Sequence, residues 1–221
     1  MIGRSSVRGA VAALVLGLGA GRAPAQQRPG APLDDLRAER TRGRPDAPVT
    51  MYEISDFECP FCAEFWRETL PSIERDYIDT GKLRLIFVNM PLTSLHPNAE
   101  PAAEVALCAA RQHQFWQMHD LLFRNQDRWA DLAEPGEYFL SLGDSLHLNR
   151  SELQECLRTK ATRPIVEADF DGSHRSGAIS TPTFYVTPTL HVEGELIVGA
   201  QPYKLFEQVL DSILQANAGG R

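Results

Sequence analysis

The stretch that most constrains this chain is Asp56-Phe57-Glu58-Cys59-Pro60-Phe61-Cys62, where a β-branched, apolar run gives way to a C-x-x-C pair. Proline is favoured at the first position of a helix, where its missing N–H costs nothing. Pro60 therefore predicts a helix with Cys59 as its N-cap and Cys62 one turn in. Cys62, Phe65, Trp66, Thr69, Leu70, Ile73 and Tyr77 then recur at three- and four-residue spacing, which defines the inward face of that helix. The two sulfurs are thus unequal. Cys62 packs inward, whereas Cys59 sits at the tip, where the helix dipole and free backbone N–H groups favour a thiolate. Cys59 is the candidate nucleophile and Cys62 the resolving thiol. A zinc site would need a second pair of ligands, but Cys108 and Cys156 stand alone and His113 and His119 do not share a helix face. A purely structural disulfide across so short a loop would remove little unfolded-chain entropy.

Residues 1–25 read as a cleavable export signal: Arg4 and Arg8, the apolar run Gly9 to Ala20, then Ala23-Pro24-Ala25 as the cleavage site. The apolar run is too short to span a bilayer. Its loss leaves 196 residues with 19 basic against 29 acidic side chains, a balance that argues against nucleic acid and anionic membrane surfaces as partners. The expected location is the periplasm, and the four cysteines fit an oxidising compartment. The remainder divides into a flexible tail, 26–45, and one domain, 46–216, with a helical insertion at about 96–178. The tail is too short to be a dimerisation domain, and a monomer is expected.

Within the domain, Val49 to Ser55 is a strand that runs into the C-x-x-C turn. Glu53 lies in its middle, on the same face as Val49 and Met51. It is either a solvent-facing acid or, if the strand is central in an α/β sheet, a buried carboxylate beneath the cysteines. Pro71 should kink the helix, Gly81 should end it, and Lys82 to Met90 should return as a parallel strand, completing a right-handed βαβ unit. Helical periodicity alone follows, over about Asn98–Gln112, Phe115–Arg128, Glu137–Leu146, Asn149–Lys160 and Arg163–Ser176. Cys108 and Cys156 each lie on the apolar side of their helix, as two buried thiols or, in an exported chain, a structural disulfide. Ser180-Thr181-Pro182-Thr183-Phe184 opens a strand at a proline, ordinarily trans. The strand Glu195–Val198 and an amphipathic helix carrying Leu205, Phe206, Val209, Leu210 and Ile213 close the chain.

Four motifs in register resemble the DsbA-like branch of the thioredoxin superfamily. They are Asp56 to Cys62, Phe115-Trp116-Gln117-Met118-His119-Asp120-Leu121-Leu122-Phe123, Thr181-Pro182-Thr183-Phe184, and Val198-Gly199-Ala200-Gln201-Pro202. The resemblance implies an α/β thioredoxin fold with the helical insertion between its βαβ half and its ββα half. It implies that Pro182 is cis against the cysteines, and that Glu53 is the buried acid serving proton transfer at Cys62. Thr181 would offer its backbone to substrate by strand addition, with Pro60, Phe61 and Pro182 beside it. The implied activity is a thiol–disulfide oxidoreductase that oxidises reduced or unfolded exported proteins, with no cofactor beyond the Cys59–Cys62 disulfide. A membrane thiol oxidase of the DsbB or VKOR type would recharge it. The chain departs from the best-known member in having Phe61 where a histidine would steady the thiolate. Glu58 adds a negative charge beside Cys59, screened if it points to water. An oxidant of intermediate strength is therefore expected. The competing readings are a reductase or isomerase of the same chemistry, and a chaperone holding copper(I) between the two soft thiolates.

Overall fold

The computed structural model describes residues 36–219, so residues 1–25, expected to be an export signal, and residues 26–35 of the expected tail lie outside it. Among the described residues five strands form one sheet in the order β1-β3-β2-β4-β5: Thr41–Arg42, Val49–Ser55, Leu83–Asn89, Thr183–Pro188 and Glu195–Val198 for β1 to β5. β2 is central, parallel to β3 and antiparallel to β4, with Glu53 opposite Phe87 on one side and Phe184 on the other. Apart from Tyr52 every residue of β2 is buried, because helices cover both faces of the sheet. That coverage turns Glu53 inward and rules out the solvent-facing alternative.

The helix that follows β2 covers 60–78 and alternates between α and π geometry, through Pro60–Glu64, Phe65–Thr69, Leu70–Ile73 and Glu74–Ile78. Pro71 has no N–H to give back to the preceding turn, and the chain relieves this just before it. The Leu70 N–H reaches back five residues, to the Phe65 carbonyl. The expected kink is thus delivered as widened turns. Phe65, Leu70 and Ile73 from this helix meet Met51, Leu85, Phe184 and the closing helix Tyr203–Gly219, through Phe206 and Leu210, in one core. Burying each such side chain stabilises the fold by about 1.5–3 kcal/mol.

A second core belongs to the insertion, and it reaches the redox turn directly: Phe57, Cys59 and Cys62 pack into the same cluster as Phe115, Met118, Leu122 and Phe123. The insert helices run Ala99–Ala110, Phe115–Arg124, Gln126–Trp129, Gly136–Ser145, Arg150–Arg158 and Arg163–Arg175. The helix expected over Phe115–Arg128 breaks at Asn125, whose φ of −112° and ψ of 18° leave helical space and whose side-chain N–H bonds the Leu121 carbonyl at 2.8 Å. Asn149 caps its helix by accepting from the Glu152 N–H at 3.2 Å. Cys108 and Cys156 are disulfide-bonded, with their Cα atoms 5.9 Å apart. Their double alanine variant is expected to lose about 4 kcal/mol in chemical denaturation, the loop-entropy value for a bridge across 48 residues. Cys59 alkylation rates should not change.

The start of the described chain departs from the expected tail. Leu36–Glu39 is helical, Leu36 and Arg40 are buried, and Thr41 and Arg42 pair with Ile86 and Leu85 to extend the sheet. Arg40 donates to the Phe87 carbonyl at 3.2 Å and forms an ion pair with Asp169 on the last insert helix. The folded unit therefore begins about ten residues earlier than the periodicity indicates, because a one-turn helix and a two-residue strand are too short to show a period.

Candidate active site

Cys59 occupies the N-cap of the 60–78 helix and Pro60 its first turn, with the Cys62 and Ala63 N–H groups returning to the Cys59 carbonyl at 3.1 and 3.2 Å. The capping position makes the local fold: an extended residue enters, and proline starts the helix without wasting a donor. Phe61 projects outward at 59% exposure, whereas Cys59 is 4% exposed and Cys62 fully buried. Across from them the Thr181–Pro182 peptide bond is cis, and Pro182 is buried. As a thiol, Cys59 donates to the Thr181 carbonyl at 3.4 Å. The structure thus assembles Cys59, Cys62, Thr181 and Pro182 at one end of the central strand. Pro60 and Phe61 form the exposed lip. Cys108 and Cys156 are elsewhere, on the insertion.

The electrostatics separate the two sulfurs further. Donation from the Cys62 thiol is the largest influence on Cys59 and, with the Thr181 hydroxyl and the Phe61 and Cys62 N–H groups, brings its pKa down to about 6 against the opposing effect of burial. Burial pushes Cys62 well above the ordinary thiol range, and donation to Cys59 adds to this. Glu53 is completely buried and neither carboxylate oxygen has a hydrogen-bond partner, so desolvation raises its pKa to about 8. The Ser55 hydroxyl, buried and itself unpartnered, lies near enough to both groups to lower the pKa of each. It is the one side chain that acts on both the resolving thiol and the acid. Arg42, stacked on Trp116 at 4.1 Å and paired with Glu74 and Asp120, is the cation that acts on Glu53.

Two site residues escaped sequence reading. Gln126, at the start of the helix that follows the Asn125 break, donates to the carbonyls of Phe57 and Cys59 at 2.7 and 3.0 Å. It clamps the redox turn to the insertion. His96, from the loop after β3, lies 2.8 Å from Asp56. Glu58 is also corrected: it is buried, 8% exposed, and accepts from the Asn98 N–H at 2.6 Å. Its charge is not screened by water.

A central strand that delivers a C-x-x-C pair to a helix N-terminus, opposite a cis-proline loop, defines a thioredoxin-fold redox protein carrying a helical insertion. A thioredoxin family model matches residues 35–212. Disulfide bond formation protein D of Bacillus subtilis is 30% identical over 156 residues, 68% of this chain and 68% of that protein. The crystal structure of oxidised BdbD from Bacillus subtilis superposes with a TM-score of 0.71 at 26% identity, covering 80% of this chain and 92% of the other. A Na(+)/H(+) antiporter, NhaA 3 of Salinispora tropica, is 36% identical over 162 residues, 72% of this chain. This chain spans only 23% of that antiporter's length. The chain belongs to the thioredoxin family, in its DsbA-like branch, whose crystal structures share this fold.

Proposed function

We propose that this chain is a thiol–disulfide oxidoreductase that introduces disulfides into exported proteins through the Cys59–Cys62 pair. The observation that carries the reading is the opposed placement of the two sulfurs: Cys59 caps the helix N-terminus opposite the Thr181 carbonyl and beside the exposed Phe61, which favours its thiolate, whereas Cys62 is fully buried one turn in, which favours its thiol. In the oxidising direction a substrate thiolate attacks Cys59, the Cys59–Cys62 bond breaks, and Cys62 leaves with a proton that Glu53 supplies. A second substrate thiolate then attacks the substrate sulfur of the mixed disulfide, and Cys59 departs as a thiolate. Two electrons pass from substrate to protein. In reverse, Glu53 accepts the Cys62 proton. Substrate main chain pairs with Thr181 while Pro182, Pro60 and Phe61 pack beside it, a mode that asks for no particular sequence. The reaction takes place in the periplasm, reached through residues 1–25, and the protein acts there as a monomer. A membrane thiol oxidase of the DsbB or VKOR type restores the disulfide.

Equilibration of the Cys59–Cys62 pair with glutathione tests the direction. The expected potential lies between the about −270 mV of thioredoxin and the about −120 mV of the strongest oxidants of this kind. A value at or below that of thioredoxin would make the protein a reductase and overturn the oxidising role.

A further inference from the structure

The Cys59 thiolate has an unfavourable neighbourhood in sequence, since Asp56 and Glu58 precede it within three residues and both are buried, at 1% and 8% exposure. Fixed negative charge beside a thiol raises its pKa. One loop, 91–98, engages both carboxylates. The Leu92 N–H donates to Asp56 Oδ2 at 2.9 Å, His96 Nδ1 lies 2.8 Å from the same oxygen, and the Asn98 N–H donates to Glu58 Oε2 at 2.6 Å. Asp56 is held in place from the other side as well. Its Oδ1 accepts from the Glu58 N–H at 2.8 Å, and its carbonyl accepts from the Cys59 N–H at 3.1 Å. Of the loop groups that reach this turn, only the His96 ring can carry a positive charge, and it does so at 17% exposure, where water screens it little.

We infer that His96 is a positioning residue for the thiolate: as an imidazolium seated on Asp56 it offsets the two carboxylates and supplies, from a distant loop, the cation that the Pro60–Phe61 dipeptide lacks. This rests on the thiol–disulfide reading above. The ionisable groups that act on the ring are Asp56, Cys59 and Glu58; contact with Asp56 is the main reason its pKa lies above the ordinary imidazole value, and burial opposes it. Coupling between two such groups is reciprocal. If the imidazolium favours the Cys59 thiolate, forming that thiolate must raise the His96 pKa by the same amount. Reduction of the Cys59–Cys62 bond by two electrons then leaves Cys62 with one proton, Cys59 as the anion, and His96 holding a proton drawn from water wherever the ring is neutral in the oxidised protein.

The test follows the His96 ring by NMR through a pH titration of the full protein, once oxidised and once reduced, and the Cys59 thiolate by absorbance in the wild type and in His96→Gln. Glutamine keeps a donor for Asp56 and removes the charge. The expected results are a His96 pKa higher in the reduced protein and a Cys59 pKa raised by a matching amount in the variant. The glutathione equilibrium constant should shift about tenfold, the lower end of what a neighbouring opposite charge produces. A ring that titrates identically in both redox states would overturn the proposal, and so would an unchanged Cys59 pKa in a folded His96→Gln; either would leave His96 as a loop clamp. If that variant does not fold, the two wild-type titrations decide alone. A wild type that never equilibrates with glutathione would sink the underlying redox reading, a result distinct from a missing coupling.

Discussion

Cys62→Ala is expected to accumulate protein-sized mixed disulfides on Cys59, while Cys59→Ala accumulates none. The physical basis is the division of labour between the sulfurs. Cys59 alone combines a lowered pKa with a place beside the exposed lip of Phe61, and the helix N-terminus that favours its thiolate stays when its partner is removed, so it still attacks substrate. Cys62 is fully buried and its thiol is pushed far up, so it serves only a sulfur already attached to Cys59. Part of the depression at Cys59 comes from Cys62 itself, and Cys62→Ala should therefore raise the Cys59 pKa as well as trap the intermediate. Non-reducing electrophoresis of cell extracts displays the adducts, and turnover of a reduced substrate should fall to background in both variants. Equal trapping by both would reverse the assigned roles.

Glu53→Gln should show the second large effect, and it should pull stability and activity in opposite directions. The folded-state pKa of Glu53 lies near 8, above the ordinary 4.5, so between those values the native protein holds a proton that the unfolded chain has released. Stability contributed at this position is therefore present at acidic pH and is lost as pH rises from about 5 to about 8. A shift of this size corresponds to on the order of 5 kcal/mol. Glutamine, which never ionises, should flatten that slope and make the variant several kcal/mol more stable than wild type at pH above about 8, measured by denaturation of the reduced protein. The same change removes the proton carrier, so the step in which Cys62 gains its proton, formation of the mixed disulfide in the oxidising direction, should slow by about a hundredfold, the lower end of general acid–base effects. A variant that tracks the wild-type stability curve from pH 5 to 9 would mean that Glu53 is already ionised when buried.

The elements whose burial is periodic were legible: β2 and β3, the redox helix and the closing helix repeat their apolar residues over two or more turns or alternations. Cys59 and Pro60 announced the helix start because an N-cap and a first-turn proline are local signals. Glu53 stayed ambiguous because strand alternation assigns a residue to a face without saying what covers that face. What covers it is the 60–78 helix, a tertiary fact. Asn125 passed for a helical residue because asparagine costs a helix only a few tenths of a kcal/mol, and breaking there frees Gln126 to reach the redox turn. His96 and Gln126 carried no local mark at all, since their partners lie 40 and 67 to 69 positions away. The Pro60–Phe61 dipeptide holds no histidine, and the imidazole that reaches Asp56 in the same turn comes from the loop after β3.

The two-residue strand Thr41–Arg42 decides what else can pair with β3. β3 reads Leu-Arg-Leu-Ile-Phe-Val-Asn, and without a neighbour on that side it would present an open ladder of N–H and C=O groups to any extended chain. Under the proposed function, an unfolded substrate recruited at that edge would be held away from Thr181, and such open ladders are where sheets aggregate. The chain closes the edge with its own leading residues: the Phe87 N–H bonds the Arg40 carbonyl at 3.0 Å, Arg40 returns a bond to the Phe87 carbonyl, and Asp169 locks the arginine to the insertion. The middle of β3 is thereby closed to strand addition by another chain.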